Sequence, residues 1–254
     1  MTATITANIN PKTIAIVTGG GSGIGASVAK ALASKGHVVV IFDYNIGAAK
    51  QIVADIQQDK GEAFALQVDV SNEQSVTDSF SEVVKSIGIP SMLCNSAAIQ
   101  RFGRTDSFDF AQWQQVVSIN LNGTFLMCKA MLPHIESTQG RVVNIASLAG
   151  KIGIPYSAAY SASKGGVITF TKALAKEYAD REVCISAVTP GAVDTPMLAI
   201  KAPEDINPKV LGVIPRTARD AATPQQIAEL IVFLLTQAPY SMTGSIVPID
   251  GGSG

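Results

Sequence analysis

Seven short runs along the chain are almost wholly apolar, and the longer segments between them carry apolar residues every three or four positions. The runs span residues 14–17, 38–42, 63–68, 91–94, 141–145, 183–188 and 245–249. They lack the apolar and polar alternation of a sheet with one wet face, so they predict strands covered on both sides. The intervening segments 26–34, 46–58, 72–86, 111–132, 158–179 and 224–235 predict helices. The start of the last is marked, because Thr223 can cap it and Pro224 fits its first turn. Strand and helix alternating in this order predict an α/β fold, a doubly wound parallel sheet with helices on both faces.

No low-complexity linker or internal repeat divides the chain, so residues 13–254 are expected to form one domain behind an N-terminal extension, 1–12. A length of 254 residues with 47% hydrophobic content is enough to bury a large core. The extension is polar and lacks the basic and apolar regions of a secretory signal, which makes the cytoplasm the expected location. No run of 18 apolar residues suggests a membrane span. With 19 Lys and Arg against 20 Asp and Glu, the net charge of −1 offers no field to gather nucleic acid or anionic lipid. Cys94, Cys128 and Cys184 are widely spaced and fit neither a zinc site nor a redox dithiol, and His37 and His134 alone make no histidine-rich metal site. No metal is expected.

Two constellations carry chemistry. Thr18 to Gly25 forms a glycine-rich turn, containing Ser22 and Ile24, between the first apolar run and an Ala-rich helical segment. Gly19, Gly23 and Gly25 let the backbone turn sharply and approach a pyrophosphate, whose charge would meet free amides at the helix start. Asp43 lies about 20 residues further on, where a carboxylate can accept from ribose hydroxyls. A 2′-phosphate there would face like charge, and Ser22, Tyr44 and Asn45 supply no cation, so the expected cofactor is NAD rather than NADP. The second constellation is Tyr160 and Lys164, four apart and so on one helix face. An ammonium beside a phenol favours the phenolate, and this predicts a Tyr160 pKa below its usual value near 10.

Together these residues resemble the short-chain dehydrogenase/reductase family, and the resemblance runs from about Thr13 to Gly252. It is carried by Thr18 to Gly25, by Asn95-Ser96-Ala97-Ala98 in place of Asn-Asn-Ala-Gly, by Asn120, by Ser147, Tyr160 and Lys164, and by Pro190, Gly191, Val193 and Thr195. The resemblance implies a single Rossmann-type domain and an oxidoreductase. Ser147 would hold the substrate oxygen, Tyr160 would exchange its proton, and Lys164 would tune Tyr160 and bond the nicotinamide ribose. Asn120 would kink its helix and present a carbonyl to a water leading protons from Lys164 to solvent. Asp69 would meet the adenine ring, with a backbone group of Val70 beside it. Asn95 and Ala97 would lie beside the cofactor, as would the segment from Pro190 to Thr195. Residues 194–220, rich in proline, resemble the lid that closes over substrate. The family also implies a homotetramer.

Gln100, Arg101, Lys151, Ile154 and Met197 are candidates for the pocket around Ser147 and Tyr160, and the Gln100 amide hints at a hydroxyl-bearing ligand. The leading expectation is an NAD-linked dehydrogenase of a polyol, sugar or cyclic secondary alcohol. A 3-oxoacyl-thioester reductase of the acyl-carrier-protein type is the alternative, kept open by Lys129 and Lys172 and opposed by Asp43. A dinucleotide sensor without turnover is the reading from another class, and the presence of Ser147, Tyr160 and Lys164 argues against it. The replacements Ser96 and Ala98 are expected to affect local stability rather than activity.

Overall fold

The computed structural model describes residues 13–200, 207–211 and 221–254. The N-terminal extension 1–12 and the lid residues 201–206 and 212–220 lie outside the described residues. Seven strands form one parallel sheet: β1 (Ile14–Thr18), β2 (Val38–Asp43), β3 (Glu62–Gln67), β4 (Met92–Asn95), β5 (Arg141–Ile145), β6 (Cys184–Pro190) and β7 (Ile246–Ile249). Their order, β3-β2-β1-β4-β5-β6-β7, reverses between β1 and β4, so the loops leaving those two strands diverge and open a crevice at the carboxyl edge.

One face carries the helices α1 (Gly23–Ser34), α2 (Ile46–Gln58) and, near the C-terminus, α9 (Pro224–Thr236). Val28, Leu32, Ile56, Ile227 and Ile231 from these helices pack against Val17, Val39, Ile41, Cys94 and Val143 of the sheet. On the other face lie α3 (Glu73–Ser86), α5 (Gly123–Ile135) and α7 (Ala158–Glu177). There Phe80, Met127, Met131, Ile135 and Leu174 meet Ile16, Val40, Phe42, Leu93 and Ile185. Successive strand residues thus feed opposite cores, which is why the central strands are largely apolar along their length.

The edge strands depart from that expectation. Phe64 of β3 is exposed and β7 is only partly covered, because a sheet margin extends beyond the helices laid over it. Local signals set several helix starts. Thr223 and Gln226 make a reciprocal capping box with Pro224 in the first turn, while Asn45 and Asn72 cap α2 and α3 through their side chains. The segment 111–132 is not one helix. It is α4 (Phe110–Val117), a π-helical turn (Ser118–Asn122) and then α5, which continues through Pro133 to Ile135. Two short helices, α6 (Ala149–Ile152) and α8 (Pro208–Leu211), were not expected from periodicity, being too short to show one.

Candidate active site

The glycine turn leaves β1 and enters α1 under tight steric limits. Gly19 sits at φ +62° with its N–H donated to Phe42 O at 2.8 Å, and a Cβ there would lie 2.8 Å from the Ala97 Cα. A Cβ on Gly25 would lie 2.3 Å from the Gly19 carbonyl oxygen, so only glycine lets the helix start fold back on the turn. Gly23, at φ +52°, faces Thr195, and Ile24 packs against the core below. Ser22 precedes α1 in extended conformation and makes no side-chain cap, which leaves first-turn amides for another acceptor. This bare, uncapped helix start fits a dinucleotide pyrophosphate.

Asp43 closes β2 and is held by two backbone donors, the N–H of Gly21 and the N–H of Asn45, each at 2.8 Å. Each carboxylate oxygen retains a lone pair, and a Cβ on Gly21 would come within 2.8 Å of Oδ2. Asp69, past β3, accepts from the Ser71 N–H at 2.9 Å and the Ser71 hydroxyl at 2.6 Å. Val70 is buried against Gly123 at the start of α5.

The segment after β4 divides its roles. The Asn95 side chain turns inward, donating to Asn144 Oδ1 at 2.8 Å, while its own Oδ1 is buried without a partner. Ser96 and Ala97 both donate backbone N–H groups to the Thr18 hydroxyl, at 3.0 and 3.1 Å. The link from this loop to β1 therefore runs through main chain, which explains why the replacements at Ser96 and Ala98 leave it in place. Thr18 itself was missed as a site residue, since a threonine ending a strand carries no signal in sequence.

On the far side of the crevice, Pro190 O accepts the Leu148 N–H at 2.9 Å, joining the end of β6 to the loop after β5. A Cβ on Gly191 would lie 3.0 Å from the Asp250 Cα. Val193 is buried and bridges Ala222, and Thr195 places its methyl 3.2 Å from the Cβ position of Gly23. Gly23 and Thr195 thus stand on opposite sides of a narrow gap.

Tyr160 and Lys164 lie on the sheet-facing side of α7, 8% and 3% exposed. The Lys164 Nζ donates to the Ile145 carbonyl at 2.6 Å and lies 5.8 Å from the centre of the Tyr160 ring. Ser147, reached directly from β5, hydrogen-bonds the Tyr160 phenol and accepts the Ala149 N–H at 3.1 Å. The expected acidic shift of Tyr160 is corrected here. Burial pushes the phenol above its ordinary value of 10.0, with the Ser147 hydrogen bond opposing it, and burial lowers Lys164 to about 8. Desolvation disfavours the charged form of both groups, and the amine is spent on a neutral carbonyl.

Asn120 is fully buried within the π-turn. Its Nδ2 donates to Ile99 O at 2.9 Å and Ser163 Oγ at 3.1 Å, and its Oδ1 accepts the Ile99 N–H at 2.8 Å. Its main-chain carbonyl accepts the Thr124 hydroxyl at 2.8 Å. The side chain therefore clamps the loop after β4 to α7. A second positioning contact, at Gly150, was also missed: a Cβ there would lie 2.5 Å from the Lys164 carbonyl carbon, so α6 rests on the α7 backbone.

Tyr160 also belongs to a small apolar cluster with Val116, Ala149 and Ala159, against which Ile99, Ile154 and Met197 pack. Gln100 instead donates its amide to the buried Ser157 hydroxyl at 3.3 Å, and Arg101 bonds the Gln100 carbonyl. Lys151 is exposed. Tyr156, at φ +62°, accepts the Asn207 N–H on its hydroxyl at 3.1 Å, and this ties the described part of the lid to the start of α7.

Comparison with known proteins agrees with this geometry. The family profile described as short chain dehydrogenase matches residues 13–205. The chain is 35% identical over 242 residues to a 2-(S)-hydroxypropyl-CoM dehydrogenase of Xanthobacter autotrophicus, covering 93% of this chain and 94% of the relative. It is 38% identical to a 3-oxoacyl-(acyl-carrier-protein) reductase of Synechocystis sp., covering 94% and 96%. A short chain dehydrogenase from Burkholderia cenocepacia J2315, solved in complex with NADP, superposes with a TM-score of 0.84 at 28% identity, covering 95% of this chain and 97% of the other. A glycine turn at the crossing point of the sheet, a serine-bonded buried tyrosine and relatives matched almost end to end lead to one assignment: the chain belongs to the short-chain dehydrogenase/reductase family.

Proposed function

We propose that the protein transfers a hydride between NAD(H) and a small secondary alcohol or its ketone. The observation that carries this reading is the buried Tyr160 phenol bonded to Ser147, with Lys164 on the same face of α7, at the carboxyl edge of the sheet. The bound nicotinamide supplies the hydride acceptor or donor. Ser147 holds the substrate oxygen with its hydroxyl. Tyr160 takes the alcohol proton during oxidation and returns it during reduction. Lys164 bonds the nicotinamide ribose with the N–H groups left free by the Ile145 carbonyl, and the carbonyl of Asn120 keeps one lone pair for a water that relays protons outward.

NAD is preferred over NADP because the Asp43 carboxylate stands at the end of β2, where it repels a 2′-phosphate and accepts from ribose hydroxyls. The Burkholderia neighbour holds NADP, so this preference is assigned from the carboxylate of this chain. A homotetramer is supported by Phe125 of α5, which is exposed and meets Phe170 of α7 edge to face at 6.1 Å. A cytoplasmic location is part of the same proposal, supported by three free buried cysteines. The thioester-reductase alternative is favoured by the name of the Synechocystis relative, but Lys129, one of its two docking lysines, is paired with Glu73 at 2.7 Å.

The test is nucleotide-linked turnover with NAD and NADP across a panel of secondary alcohols, followed by Tyr160→Phe. Turnover with NAD should exceed that with NADP and fall by at least about hundredfold in the variant. Near-normal turnover by Tyr160→Phe would remove the assignment.

A further inference from the structure

The reaction read above leaves the substrate's skeleton open, and the walls around Tyr160 narrow it. The loops leaving β4, β5 and β6 each place one partly buried aliphatic side chain on the cluster that holds Tyr160: Ile99, Ile154 and Met197. The ring itself rests on Val116, Ala149 and Ala159, all buried. Three independent crossovers thus converge on the apolar cluster that carries the reacting residue. The side chain that would favour a polyhydroxylated ligand, Gln100, points its amide at the buried Ser157 hydroxyl instead.

Resting on the hydride-transfer reading, we propose that this site takes a secondary alcohol with a hydrocarbon skeleton, cyclic or short-chain, and rejects polyols and sugars of the same size. Ser147 and Tyr160 satisfy the one reacting oxygen. Phe108 and Trp113 complete this wall, so among the described residues of the cluster a further hydroxyl meets only the Trp113 indole N–H and the weak thioether acceptor of Met197. Each such group loses its water and gains little in return, whereas a methylene in the same place gains by leaving water. A site without polar partners discriminates this way even when shape alone would admit both ligands.

The experiment uses matched pairs on the intact protein with saturating NAD: cyclohexanol against myo-inositol, and 2-butanol against threitol. The hydrocarbon member should exceed its polyol in kcat/KM by at least about tenfold for each hydroxyl buried without a partner, hence about hundredfold or more for the ring pair. Ile154→Asn, which places a donor and an acceptor in the wall, should narrow the ring-pair ratio by about tenfold. Protein fluorescence quenching by NADH confirms that the variant is folded and loaded. A change that merely loosened the structure would slow both members and leave the ratio where it was. Polyol turnover equal to or above that of the hydrocarbon partner overturns the inference while leaving the NAD-linked reading intact. An unchanged ratio in Ile154→Asn overturns it as well. Failure to bind NADH and to turn over any alcohol overturns both.

Discussion

Asn120→Ala tests whether the π-turn residue is the clamp that its geometry describes. The substitution removes three hydrogen bonds in one step: those from Nδ2 to Ile99 O and Ser163 Oγ, and that from the Ile99 N–H to Oδ1. Ser163 keeps a partner, because its hydroxyl also donates to the Tyr160 carbonyl at 2.8 Å. Among the described residues Ile99 keeps none for either main-chain group, and each such part-buried orphan costs up to about 1–3 kcal/mol. With a small cavity added, the loss is about 3–5 kcal/mol, a large share of the roughly 5–15 kcal/mol that holds a typical fold. For a chain of this size that corresponds to a fall in melting temperature of about 8–15 °C. Thermal unfolding followed by circular dichroism measures it directly. Because Ile99 lies on the Tyr160 cluster, the Ala variant should also lose kcat with little change in NADH affinity. A melting shift below about 3 °C in Asn120→Ala would show that the clamp is not what holds this loop.

Three further outcomes follow from the site. Burial raises the Tyr160 pKa, so at neutral pH the phenol is protonated and its base form grows as pH increases; alcohol oxidation should rise from neutral to alkaline pH while ketone reduction falls, and pH–rate profiles that are flat in both directions would refute the role of the phenol. Asp43→Asn removes the charge but keeps the shape of the side chain that receives the Gly21 and Asn45 amides; fluorescence titration should show the NADH to NADPH affinity ratio falling by about tenfold or more, equivalent to about 1.4 kcal/mol. Gly150→Ala puts a methyl 2.5 Å from the Lys164 carbonyl carbon, so α6 must lift from α7; kcat should fall by about tenfold or more through misplacement of Tyr160 and Lys164, with circular dichroism reporting a fold that is otherwise intact.

The sheet, the glycine turn and the capped start of α9 were legible because each has a local signature: largely uninterrupted apolar runs, glycines at forced positions, and Thr223 ahead of Pro224. The Tyr160–Lys164 pairing was legible for the same reason, since spacing alone puts both on one helix face. Depth was not. The same spacing on a wet helix gives an acidified phenol, and only the packing of α7 on the sheet shows that desolvation governs both groups. The break at Ser118–Asn122 was hidden because apolar periodicity continues across it, and only the resemblance drew notice to Asn120. Gly150 carried no signal, as nothing in the sequence says whose backbone lies above it. Gln100 suggested a hydroxyl ligand by residue type, and its engagement with Ser157 is a tertiary fact. The exposed margins of β3 and β7 could be foreseen only once the strand order was known.

The reversal of strand order between β1 and β4 has an evolutionary consequence. Gly19, Asp43 at the end of β2, and Asp69 sit to one side of that divide, and Ile99, Ile154 and Met197 on loops to the other. Although β1 and β4 are paired neighbours in one sheet, the loops of the two sides meet through Thr18 with residues 96 and 97 and the narrow approach of Thr195 to Gly23. Drift at Ile99, Ile154 and Met197 can therefore change the wall packed on Tyr160 while Gly19, Asp43 and Asp69 stay as they are, so one inherited half can serve many chemistries.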